Sequence, residues 1–299
     1  RSVRDLVALA AGPEPVIAGG VSGTLTVGGT LGEPRARGEV TLSNLAVTQT
    51  NARCAEPTRR TLALGDLQAS AVWEGERLAS RPLRTGLGGG SVTANLAVTL
   101  DRSPRVDLDD LTIKAVPLDK VLVDFLCQGY AVTGPLDLSG QAAARLDDFW
   151  RTLNGSGQLR IGPGQVVGAQ ALGLIGGVVR VGGAVSALLS ADLPASRFSS
   201  PLDFDSITAS YQITKGVVTT RDLRYVSRAM RVAAAGTYAL VTGAMNLDVV
   251  VSHGRGEVKA RVTGTAASPS IRVVPSTILG NVDPGPIERG VQDLLKRFR

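Results

Sequence analysis

The chain has 299 residues, 43% hydrophobic, 4% aromatic and 19% charged, a balance that supports a substantial core and excludes intrinsic disorder. One histidine and two cysteines exclude a His/Cys zinc site, an HExxH metalloprotease and a disulfide-dense miniprotein. Net charge is +6, but the positives are scattered and aromatic rings are few, so the balance favours membrane proximity over a nucleic-acid groove.

The sequence opens on Arg1 without an initiating methionine or a signal peptide, so any targeting segment or N-terminal anchor of the natural protein is expected to lie upstream of it. Cys54 and Cys127 fit either one disulfide in an oxidising compartment or two buried thiols.

In chain order, Val27-Gly-Gly-Thr30 followed by Pro34 predicts a strand, a turn and a proline opening the next strand. Val92, Ala94, Leu96, Val98 and Leu100 alternate with mostly polar neighbours, the period of a half-buried strand, after a turn at Gly88-Gly89-Gly90. Pro117 to Gly129 predicts a helix with Leu118, Val121, Leu122, Phe125 and Leu126 on one stripe. Val166–Ala191 is long enough to raise a membrane span, but Arg180 near its middle and the glycines Gly173, Gly176, Gly177, Gly182 and Gly183 favour two short helices on a sheet.

Alternation returns at Ile207–Thr214 and at Val258–Thr263, with turns at Lys215-Gly216, Thr242-Gly243 and His253-Gly254. Val262-Thr-Gly264-Thr265 and Pro269 echo the pattern at Val27–Pro34. Pro286–Arg299 predicts a second amphipathic helix ending in the basic cluster Lys296, Arg297 and Arg299. The expected fold is mainly β: an elongated, curved antiparallel sheet, groove-like, with a few short capping helices.

No catalytic constellation emerges. Ser252 and His253 are adjacent on a turn and seldom face each other in that arrangement. The pairs Asp109-Asp110 and Asp147-Asp148 read as caps or solvated faces.

Residues 132–273 resemble the C-terminal region of the AsmA-like family of Gram-negative envelope proteins. The resemblance is carried by Gly134-Pro-Leu-Asp-Leu-Ser-Gly140, by Leu153-Asn-Gly155-Ser-Gly157 leading to Gly164-Gln-Val-Val-Gly168, and by Phe204-Asp205-Ser-Ile207 followed by Lys215-Gly216-Val217. Asp222-Leu223, Gly236-Thr-Tyr238, Asn246-Leu-Asp248 and Val262-Thr-Gly264-Thr265 continue it in order.

The resemblance implies a periplasmic protein anchored to the inner membrane by a segment absent from this chain. It also implies a non-catalytic role in phospholipid transport and outer-membrane biogenesis, without cofactor, metal or nucleic acid, and with an outer-membrane or envelope protein as a possible partner. Three regions follow: a β-repeat portion (1–131), an AsmA-like sheet (132–275) and a C-terminal tail with its helix (276–299).

Candidate groove residues for acyl chains are Ile207, Ala209, Tyr211, Ile213, Val217, Leu247, Val249, Val251, Val258, Ala260, Val262, Ile271 and Val273. The competing expectation is that they pack as an ordinary core. Ile213→Asp or Val249→Asp would place a charge on the acyl path. The rival functions are an assembly scaffold acting through protein contacts, a hydrolase using Ser252 and His253, and a peripheral membrane binder using the basic C-terminal helix.

Overall fold

Alternation makes strands because successive side chains leave a pleated backbone on opposite faces, and most of this chain obeys that rule. The computed structural model describes residues 16–30, 33–52, 54–173, 202–253 and 256–274. Seven strands come first: β1 (Val16–Gly29), β2 (Pro34–Thr50), β3 (Arg59–Ala63), β4 (Leu67–Glu74), β5 (Arg77–Leu87), β6 (Gly90–Thr99) and β7 (Arg105–Pro117). A π-helical segment, α1 (Asp119–Phe125), leads to β8 (Pro135–Arg145), one helical turn α2 (Phe149–Thr152) and β9 (Asn154–Ile161). The short strands β10 (Gly164–Val166) and β11 (Leu202–Phe204) precede β12 (Ser206–Thr214), β13 (Val217–Val226), β14 (Arg231–Ala239), β15 (Ala244–His253), β16 (Gly256–Thr265) and β17 (Ser268–Val274).

Fifteen strands form one sheet, ordered β1-β2-β4-β5-β6-β7-β8-β9-β12-β13-β14-β15-β16-β17, with β3 on β2. Every pairing is antiparallel, and β7 pairs with β8 directly across the expected 131/132 boundary. The expected mainly β architecture is what forms, and its path stays open between β1 and β17.

The sequence echo is a structural repeat. Gly29 pairs with Pro34 and Gly264 with Pro269, and both glycines hold the left-handed backbone, at φ 88° and 92°. That region excludes most side chains, so glycine is required at both turns.

Bulges bend the strands, and carboxylates hold them. The Asn44, Ala115 and Ser210 N–H groups donate to Asp66 (3.1 Å), Asp137 (2.9 Å) and Asp222 (2.8 Å), each beside a register shift. A bulge unpairs one backbone donor and sharpens the local bend. An acceptor on the adjoining chain segment removes the cost of leaving that donor unmade.

The sheet curls strongly. Cys54, beyond β2, and Ala266, in the β16–β17 turn, lie eleven strand steps apart, about 50 Å if the sheet were flat. Both are nevertheless reached from one short stretch. Cys127 forms a disulfide with Cys54, and the Tyr130 hydroxyl donates to the Ala266 carbonyl. Three residues of chain span about 10 Å, and about 25 Å with the disulfide and the tyrosyl ring added.

That stretch belongs to the excursion between β7 and β8, which lies on the concave face beside the excursion between β9 and β12. The two are joined by the Val132–Val166 bridge and by hydrogen bonds from Val167 and Gly168 to Ala131. Leu118, Val166, Ala171 and Phe204 from these excursions are buried with Val249, Val251, Val262 and Ile271 from the sheet. The concave face is therefore the apolar one.

The first helix is shorter than its sequence pattern. Pro117 closes β7, and Cys127, at φ 48°, sits past the helix end, so the expected stop at Gly129 is not what ends it. Residues 169–173 are helical as expected for the start of the Gly/Ala/Val run, whereas 174–191 and Pro286–Arg299 lie outside the described residues.

Candidate functional site

Directly paired residues of an antiparallel sheet share a face, so the registers trace the apolar surface strand by strand. One row runs Val116, Leu136, Ile161, Ile207, Tyr225, Val232, Val251 and Val258. Another runs Ala142, Leu108, Leu96, Ser80, Ala71, Gly38 and Leu25. A third, nearer the strand ends, runs Ala144, Val106, Val98, Leu78, Trp73, Ala36 and Val27.

This surface has two regimes. Over β15–β17 it is covered: Val249, Val251, Ala260, Val262 and Ile271 are buried among the excursions, and Val262 is 0% exposed. Leu247 and Ile207 pack against that cluster from the side. Over β6–β8 it is a half-open trough, where Leu96, Leu108, Ile113 and Leu138 are half-buried and lie outside the cluster.

The expected groove residues divide accordingly. Ile207, Ala209, Tyr211, Ile213, Leu247, Val249, Val251, Val258, Ala260, Val262 and Ile271 share the concave face, with Ala209 buried and Tyr211, Ile213 and Val258 half-buried. Val273 pairs with Ala260 on the same row, and its side chain lies outside the described residues. Val217 is different: it pairs with Thr214, on the opposite, polar face, and is 37% exposed. Val218 takes the concave position across from Ile213.

Tyr211 lies across a glycine floor. A methyl group on Gly140 or Gly157 would come within 2.9 or 2.6 Å of its hydroxyl, and burial pushes that hydroxyl's pKa up. Leu96, Leu108, Ile113 and Leu138 were absent from the expected groove. The alternation that marks β6 as a strand also places Leu96 on the dry face, and its partner Leu108 keeps that parity, but the register shift after Leu108 moves Ile113 to the opposite parity, where it pairs with Val92 and Leu138.

The convex face is polar. A depression of about 350 Å³ there involves Asp137, Ser139, Gln158, Arg160, Thr208, Ser210 and Asp222. Asp222 accepts from the Ser210 N–H and hydroxyl, each at 2.8 Å, and these bonds hold its pKa below the ordinary carboxylate value. A depressed folded-state pKa contributes stability that is present above the unfolded value and is lost as pH falls through the folded one. Asp222→Asn is therefore expected to lower Tm above about pH 4 and to flatten the acid limb below it. Thermal melts between about pH 2 and pH 7 check this, and an acid limb unchanged by the substitution contradicts it.

The acidic pairs have structural partners. Asp147 pairs with Arg145, Asp110 accepts from Asn95 Nδ2 at 2.7 Å, and the Asp148 carbonyl accepts from the Thr152 N–H at 3.1 Å. The His253 side chain lies outside the described residues. Among the described residues no group of three or more His, Cys, Asp or Glu could hold a metal ion, and no helix is long and apolar enough to cross a membrane.

No family model, curated protein or solved structure matches this chain.

Proposed function

We propose that the chain is a non-catalytic, AsmA-like lipid-binding protein of the Gram-negative envelope. It takes phospholipid acyl chains along the open half of its concave face and passes them toward the outer membrane. The observation that carries this reading is the run of apolar rows across β1–β8, curled inward and half-open at Leu96, Leu108, Ile113 and Leu138. Each acyl methylene buried there contributes about 0.8 kcal/mol. The lining of these rows is mostly alkyl, from alanine to leucine, interrupted by Ser80, Gly38 and Trp73. The disulfide suits an oxidising compartment such as the periplasm. This reading adds an inner-membrane anchor and an outer-membrane or envelope protein as partner.

A short-chain fluorescent phosphatidylcholine tests the assignment. The protein is expected to bind it saturably. Leu96→Asp with Leu108→Asp puts two charges on the acyl path and weakens binding tenfold or more, about 1.4 kcal/mol per decade. Unchanged affinity in that folded variant contradicts the reading.

A further inference from the structure

In a meander, alternate turns gather at the same end of the sheet. Here one end carries the β1–β2, β4–β5, β6–β7, β8–β9, β12–β13, β14–β15 and β16–β17 connections. Of the large apolar side chains exposed among the described residues, all but Val123 and Val274 lie at this end. Leu100 (52%), Leu146 (47%), Trp150 (59%) and Val241 (50%) sit on the turns themselves, and Trp73 (42%) is one residue from the end of β4.

The turns form a connected rim. The Leu100 N–H donates to the Glu76 carbonyl at 2.8 Å and the Leu146 N–H to the Pro104 carbonyl at 2.7 Å, each linking one turn to the next. The Gly216 N–H reaches the Leu153 carbonyl and the Leu240 N–H the Gly216 carbonyl, both at 2.9 Å.

We infer that this rim is a membrane-docking edge that seats in the interfacial layer of a phospholipid bilayer. The arrangement fits a bilayer better than a protein partner. A protein interface centres on a contiguous apolar patch depleted of charge. Leu100, Leu146, Trp150, Val217 and Val241 instead stand singly at separate turns, flanked by charged residues that can stay among headgroups, while Val27, Trp73 and Leu78 continue onto the third concave row. Tryptophan favours that interface because its ring is apolar and its N–H is polar. Both tryptophans of the chain are on the rim.

Charge does not drive the docking. Arg105 pairs with Asp107 and Arg145 with Asp147, and the Arg102 and Arg151 turns carry Asp101 and Asp148. Insertion of apolar groups is the driving term, so neutral lipid suffices. The inference is independent of what the concave trough carries.

The two tryptophans make the test direct: both lie on the rim, and Trp150, on the β8–β9 connection, stands clear of the concave rows, so its emission, isolated with Trp73→Phe, reports on the rim alone. Added to phosphatidylcholine vesicles, the protein is expected to show blue-shifted emission, quenched when the acyl chains are brominated near the headgroup. Binding persists at about 0.5 M salt, where exposed charges are screened. Leu100→Glu with Leu146→Glu, which keeps both reporters, lowers partitioning tenfold or more and leaves binding of the short-chain fluorescent lipid unchanged. Leu96→Asp with Leu108→Asp does the reverse. Unshifted, unquenched emission overturns the inference. So does binding confined to anionic vesicles and abolished by salt, or partitioning unaffected by the rim variant.

Discussion

Val262→Asp is expected to destabilise the protein by about 4 kcal/mol or more, because it leaves an uncompensated carboxylate in a dry cluster. Val262 is fully buried between Leu247 and Ile271, and no cation belongs to the cluster around it. With about 2.1 cal/mol/K of unfolding entropy per residue, that corresponds to a Tm lower by about 6 °C or more. Val249→Asp falls in the same class: Val249 is 8% exposed, so this variant tests folding rather than an acyl path. Leu108→Asp, on the half-open stretch, is expected to cost much less, since its carboxylate can reach water. Thermal melts of the three variants check the division. Equal losses for Val262→Asp and Leu108→Asp would contradict a face with one covered and one open part.

Removing the cross-brace is the second large effect. The Cys54–Cys127 disulfide closes a loop of 73 residues and ties the region beyond β2 to the excursion over the concave face. Chain-entropy arguments put such a closure at about 4 kcal/mol. Asn51 Nδ2 donates to the Leu126 carbonyl at 3.0 Å, a second tie between the same segments, so the fold keeps its docking when the bond is lost. Cys54→Ser with Cys127→Ser is expected to lower Tm by about 6 °C. Reductant should reproduce the shift in the unsubstituted protein and leave the double variant unmoved. A Tm insensitive to reductant in both would remove the brace from the account.

The strands were legible because alternation is local. Ile207–Thr214 and Val258–Thr263 carry their pattern residue by residue, and the Val27–Pro34 and Val262–Pro269 echo located two equivalent turns. Val217 was misplaced for a specific reason. Lys215-Gly216 is a two-residue turn, so Thr214 pairs with Val217 and the concave parity switches from odd to even across it.

Coverage was not legible at all. Leu96 and Val249 look alike in sequence, yet Val249 is buried because excursions inserted after β7 and β9 land over its end of the sheet. That landing depends on the curl, and the curl depends on bulges whose stabilising carboxylates come from other segments. Asp66 lies 22 residues from Asn44, and Asp137 lies 22 from Ala115. The rim needs strand order and turn position together, so scattered Leu100, Leu146 and Trp150 carry no joint signal until the meander assembles them.

The most direct measurement is native mass spectrometry of the protein purified from a Gram-negative host, with the released lipids identified. The account predicts co-purifying phospholipid that is lost from the Leu96→Asp and Leu108→Asp double variant while the variant stays folded. A folded, lipid-free protein, or lipid retained in that variant, would contradict an acyl path along the concave face.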